Sequence, residues 1–159
     1  MPYVEARAND GFMNAPSSWT LNHIRHHIAE GLPLAPLFNF DVVEATAVRG
    51  RLRLDEGAHV TRPGGSVAGP VLFAMADVVT YALILAARHD PDAVTVDISL
   101  NFLRPARMLP LLAEALPLRG GRRLFTAEVR ISEQDGSGAL VAQAITTWSL
   151  SPLAGAAAR

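Results

Sequence analysis

From Val71 to Ala87 the chain runs seventeen residues, VLFAMADVVTYALILAA, with one charged side chain, Asp77. No other feature limits the possible folds so tightly. A segment this apolar must be covered on nearly every side, by lipid or by the rest of the protein. Crossing a bilayer takes about 18 to 20 apolar residues, and a lone aspartate at its centre costs roughly 2.5 to 3.5 kcal/mol. The run is short for that, holds Asp77 and Thr80 near its middle, and ends at Arg88 and His89. It is therefore read as the core helix of a globular domain. Its start is placed at or near Gly69, because Pro70 suits a first helical position, where a missing N–H costs nothing.

The segments around it supply a cover. Beyond residue 90 the hydrophobic period falls from 3.6 to 2. In AVTVDISLNFL, Val94, Val96, Ile98, Leu100 and Phe102 alternate with Thr95, Asp97, Ser99, Asn101 and Leu103. This pattern predicts a strand with the first set buried. Further strands are expected over roughly 108–118, 122–132 and 139–150, the last two forming a hairpin across EQDGSG. Residues 38–54 read as two short strands broken near Arg49 and Gly50, followed by a glycine-rich loop through Gly69. Upstream, a short peripheral helix opens at Ser17 or Ser18 and stops at Gly31, with Leu21, Ile24 and Ile28 on one face. Strands in runs, without alternating helices, imply an α+β fold with an antiparallel sheet wrapped round a long central helix. The expected organisation is an N-terminal segment (1–37), one domain (38–150) and a short tail (151–159).

Composition narrows the function classes. Half of the 159 residues are hydrophobic and 18% are charged, which favours a packed core over disorder. A formal net charge of -1 offers no field for nucleic acid. Cysteine is absent, so disulfides, thiolate nucleophiles and cysteine-ligated metals are excluded. His23 and His27 stand four apart, a spacing that can chelate a metal on a helix, but no acidic third ligand is near and no metal site is expected. The opening MPYVEARANDGF lacks the basic leader and apolar stretch of a secretory signal, giving a cytoplasmic expectation with no membrane association.

RPGGSVAGPVLFAMADVV, followed by VTVDISLNFLRPAR and LRGGRRLFTAEVRISEQDG, resembles the hotdog-fold acyl-CoA thioesterases of the phenylacetate-degradation (PaaI-like) type. The resemblance spans about residues 38–150. It implies homodimers that pair edge strands into a continuous sheet, commonly tetramers built as dimers of dimers. It also implies hydrolysis of an aryl or medium-chain acyl thioester carried on coenzyme A, which enters as part of the substrate, with no further cofactor. By the same resemblance Asp77 is the general base or nucleophile, the Gly69 N–H donates to the thioester carbonyl oxygen, and Thr95 lies beside the attacking water. Arg62, Val67 and Ala68 then border the substrate. Ala68 stands where many relatives carry histidine, Arg62 where they carry asparagine, and Pro70 where they carry a second glycine. Two other roles fit such a chain, a non-catalytic acyl-CoA or acyl-carrier binding protein and a hydratase.

The chemistry is consistent with those assignments. Thioester hydrolysis needs a base for water and a donor for the developing oxyanion. The first N–H of a helix is unpaired and lies at the positive end of the dipole, while a carboxylate in an apolar wall gains basicity. Asp77 follows Gly69 by eight residues, about 12 Å along a helix axis. One carbonyl cannot touch both within one chain, so joint action requires Gly69 of one subunit to face Asp77 of another across a two-fold axis. Arg104, Arg107, Arg119, Arg122 and Arg123 are candidates for the coenzyme A phosphates, since guanidinium forks match phosphate oxygens.

Overall fold

The computed structural model describes residues 19–55, 60–107, 110–134 and 136–152. The irregular stretch 1–16, the expected helix start at Ser17 or Ser18, the first strand residues at 108–109 and most of the tail lie outside them. In chain order the elements are α1 (Leu21–Gly31), α2 (Leu34–Phe38), β1 (Phe40–Ala45), β2 (Gly50–Leu54), α3 (Gly69–Arg88), β3 (Val94–Phe102), β4 (Leu111–Gly120), β5 (Leu124–Glu133) and β6 (Leu140–Ser149). The six strands form one sheet in the order β1-β2-β4-β5-β6-β3, with every neighbouring pair antiparallel. This is the hotdog architecture, and α3 meets all six strands.

Strand alternation explains how the sheet takes the helix. Leu111, Ala113 and Ala115 of β4, Phe125, Ala127, Val129 and Ile131 of β5, and Ala142, Ala144, Thr146 and Trp148 of β6 are buried at every second position. Small residues dominate this face, so helix and sheet approach closely. At Gly50 the approach is closest, because a Cβ there would lie 2.8 Å from the Val79 carbonyl oxygen and 3.2 Å from Leu83 Cβ. Each large side chain fully buried in this core, such as Leu83, Ile84 or Leu85 of α3 and Phe125 of β5, contributes roughly 1.5 to 3 kcal/mol. Thr80, buried inside this core, is satisfied by donating to the Ala76 carbonyl at 2.8 Å and by meeting the Thr146 hydroxyl at 3.1 Å. The opposite face of the sheet carries ion pairs such as Arg51 with Glu114 at 2.7 Å and Arg49 with Glu44 at 2.9 Å.

Among the described residues, α3 is the one helix long and apolar enough to cross a membrane, and it is the buried core helix of this sheet. It is not covered all round. Thirteen of its twenty residues are buried, but Pro70 and Phe73 are exposed, and Ala74 and Asp77 are only partly covered. Positions 70, 73, 74 and 77 share one stripe by the helical period, so one chain leaves one seam of its core helix open.

Other expectations are corrected at particular elements. Helix α1 begins at Leu21, after Thr20 in extended backbone, whose hydroxyl accepts from the His23 N–H at 3.3 Å. LAPLF forms the short helix α2, which the proline-containing connection did not suggest, and β1 begins at Phe40 rather than Phe38. The largest difference is in β3. Val94, Val96 and Phe102 are 63, 61 and 60% exposed, while Ile98 and Leu100 pack partly against the core. β3 is an edge strand with a register shift between Thr95 and Asp97, so its alternation does not mark one buried face.

Candidate active site

Gly69 opens α3, and its backbone N–H has no hydrogen-bond partner among the described residues. Ala68 is the N-cap, and its carbonyl accepts from the N–H groups of Val71 at 3.0 Å and Leu72 at 3.4 Å. Pro70 has no N–H to give. Gly69 is therefore the first-turn donor left without a hydrogen bond among the described residues. The loop that delivers it is pinned on both sides: the Ala68 N–H donates to the Val60 carbonyl at 2.8 Å and the Val67 N–H to the Ala106 carbonyl at 2.9 Å. The Phe102 ring, at the end of β3, lies against Gly69. A Cβ on Gly69 would come within 3.2 Å of that ring, so glycine here makes room for an aromatic side chain that is otherwise mostly exposed.

Two turns further along the same helix, Asp77 is only partly covered, and Thr95 Oγ1 donates to its Oδ1 at 2.7 Å. Burial pushes the Asp77 carboxyl above the usual aspartate range, and the Thr95 hydrogen bond acts in the opposite direction. This is an acid whose proton affinity is raised toward working pH while one oxygen is held in place. The residues expected at the reacting centre thus fall in two places. Asp77 and Thr95 are brought together across 18 positions of sequence, and Gly69 stands with Phe102 about 12 Å away along the axis.

The residues expected to border the substrate are spread more widely. Val67 is 5% exposed and belongs to the core, so its side chain braces the loop. Ala68 is partly covered beside Gly69. Arg62 sits at the exposed turn that includes Gly64 and Gly65, both at positive φ, and its backbone N–H donates to the Ser66 carbonyl at 2.9 Å. The arginines separate into two groups. Arg104 and Arg107 line a cavity of about 500 Å³ with Pro105, Glu133, Ser137 and Ala139, just beyond Phe102 and so at the Gly69 end. There the buried Glu133 carboxylate accepts from the Arg107 N–H at 2.9 Å. Arg122 and Arg123 lie in the turn before β5, where Leu124 pairs with Ser149 and Ser149 with Val94, at the other end of β3. Arg119 is exposed near the end of β4.

His23 and His27 stand one turn apart on α1. His27 Nε2 meets the Tyr81 hydroxyl at 2.9 Å, and that hydroxyl donates to the Pro91 carbonyl at 2.8 Å. Among the described residues no cluster of three metal-ligating side chains occurs. The histidine instead fastens α1 over the C-terminal half of α3. Two residues that sequence reasoning left out of the site are Phe73 and Phe102. Phe102 appeared only as one member of an alternating strand, and Phe73 only as one apolar residue in a long run.

The class defined by this architecture is the hotdog fold, with an acid on the core helix and a free donor at that helix's start. Comparison with known proteins narrows it. Residues 64–139 match the thioesterase superfamily. Over 124 residues the chain is 30% identical to "Putative esterase SSO1253" of Saccharolobus solfataricus, a match that covers 76% of this chain and 81% of that one. A "putative thioesterase" of Silicibacter sp. TM1040, known from its crystal structure, is 31% identical, with 91% of this chain and 100% of that one covered and a TM-score of 0.76. Zebra fish thioesterase superfamily member 2, 24% identical, covers 84% of this chain with a TM-score of 0.73 and shares the fold. The chain belongs to the thioesterase superfamily.

Proposed function

We propose that this chain is a homodimeric acyl-CoA thioesterase of the PaaI-like type, acting on an aryl or medium-chain acyl group. One observation carries the reading: along the single open seam of α3, an unpaired N–H at Gly69 and a basicity-raised carboxylate at Asp77 lie about 12 Å apart. Neither can serve the other's carbonyl in one chain, and a second copy supplies the missing half of each site. The exposed apolar side chains of Val94, Val96 and Phe102 on edge strand β3 support pairing with that copy, and a dimer of dimers is compatible with it.

In this scheme the thioester carbonyl rests on the Gly69 N–H of one subunit, beside Phe102. The Asp77 carboxylate of the other subunit takes a proton from water, and the resulting hydroxide adds to the carbonyl carbon. Negative charge collects on the oxygen facing Gly69, at the positive end of the α3 dipole. Collapse of this intermediate breaks the C–S bond, and the proton held by Asp77 leaves with the thiol. Thr95 keeps the carboxylate oriented throughout. Phe73, Phe102 and Val96 give the acyl side an apolar lining, and Arg104 and Arg107 give the nucleotide side two cations. The Ala68 side chain has no polar atom with which to orient water, so the carboxylate and the hydroxyl carry that task.

A panel of acyl-CoA thioesters with a thiol-trapping dye tests this directly. Release of free thiol from at least one aryl or medium-chain ester is expected. If no ester is cleaved while several raise the melting temperature, the chain is an acyl-CoA binding protein and the hydrolytic reading fails.

A further inference from the structure

The open seam of α3 also fixes where the two-fold axis of such a dimer must run. In a two-fold interface, if residue i of one copy meets residue j of the other, then j meets i. When Gly69 of each chain faces Asp77 of the other, the position that maps onto itself is the midpoint, residue 73. That residue is Phe73, 44% exposed and on the same stripe as Pro70, Ala74 and Asp77.

The edge strand gives a compatible midpoint from different contacts. Thr95 bonds Asp77, and Phe102 packs on Gly69, so β3 runs alongside α3 in the opposite sense. Exchanging the two ends of the strand, with the extra residue at the shift between Thr95 and Asp97 discounted, places its midpoint at Ser99, which then faces its own copy. β3 can then pair antiparallel with its copy, through the edge that no described strand of its own chain uses. In that register Thr95 of one copy comes opposite Phe102 of the other. Each completed site then holds Gly69 and Phe102 from one chain with Asp77 and Thr95 from the second.

We propose that the dimer axis passes beside Phe73, and that the two Phe73 rings form a shared partition between the two sites, limiting the acyl group that each admits. The inference rests on the reading that Gly69 and Asp77 serve one carbonyl. Each of these residues lies about 6 Å along the helix axis from residue 73, on opposite sides of it. An acyl group held at either site meets this aromatic wall, so Phe73 is a specificity residue for both.

The chain contains no cysteine, so Phe73→Cys introduces its sole thiol. A short bis-maleimide should convert Phe73→Cys to covalent dimer on a denaturing gel. Val48→Cys, exposed in the turn between β1 and β2 near the opposite edge of the sheet, should remain monomeric on the same gel. If Phe73→Cys fails to fold, Ala74→Cys, one residue along the same stripe, takes its place. A light-scattering dimer in which the seam cysteine couples no faster than Val48→Cys overturns the axis placement, as does a stable monomer. The partition is tested separately with Phe73→Leu. Its kcat/KM ratio between a short and a bulky acyl-CoA should shift by roughly tenfold or more, the scale on which a pocket reads small changes in volume. An unchanged ratio refutes the specificity role. Failure of the hydrolytic reading is a different result, absence of thiol release by the unsubstituted protein, and leaves the crosslinking outcome interpretable.

Discussion

Asp77→Asn should separate activity from stability in opposite directions. Asparagine keeps the size of the side chain and an oxygen able to accept from Thr95 Oγ1, so the 2.7 Å contact has a replacement. It cannot take a proton from water. Loss of a positioned general base costs about 10²- to 10⁴-fold in kcat, or roughly 2.7 to 5.4 kcal/mol of transition-state stabilisation. The fold should respond otherwise. Burial raises the Asp77 pKa above its unfolded value, so the native state favours the protonated acid. The stabilisation tied to that raised pKa is fully present below the ordinary aspartate value and is lost as pH rises through the folded one. At neutral pH the wild-type chain has lost it, whereas the neutral amide has nothing to lose. Asp77→Asn should therefore melt at the same temperature as wild type or higher at pH 7 to 8, with the difference narrowing in acid. Paired measurement of thiol release and thermal unfolding at two pH values decides the matter. A variant that loses activity and melts markedly lower would show that the carboxylate supports the fold, and the reasoning from its burial would fail.

Thr95→Val removes the contact that opposes burial, so the acid limb of the pH–rate profile should move to higher pH, and the alkaline plateau should fall as well because the hydroxyl that orients carboxylate and water is gone; an unmoved limb would disconnect Thr95 from the base. Gly50→Ala should destabilise the fold by about 1 to 3 kcal/mol or more in urea unfolding, because its methyl would lie 2.8 Å from the Val79 carbonyl oxygen, a backbone atom with little freedom to yield. An unchanged midpoint would mean that helix and sheet are less closely seated than described. Replacing Arg104 and Arg107 together by alanine should raise KM for an acyl-CoA and leave a phosphate-free thioester of the same acyl group unaffected; equal effects on both substrates would remove the phosphate assignment.

The helix at 69–88 was legible in the sequence because its signals are local: a proline suited to the first turn, an unbroken apolar run and a basic residue at the close. The hairpin of β5 and β6 was equally plain from two alternating runs joined by glycines. β3 was not. A period of two says that the faces of a strand differ, but an edge position and a shift at Thr95 decide which side chains the chain itself covers. The five residues of α2 are too few for any period to register. At the site, Asp77 stood out as a charge in an apolar run, yet its bond to Thr95 depends on how β3 lies along α3. The division of the arginines into two groups likewise required the strand order, since Arg104 and Arg122 sit at opposite ends of the sheet.

The β3 edge carries a cost during synthesis. A newly folded single chain presents a row of unspent amides and carbonyls along β3, flanked by Val94 and Val96, to whatever extended polypeptide arrives first. In the proposed dimer a second copy covers that row, so productive pairing and edge-to-edge misassociation compete for the same backbone groups.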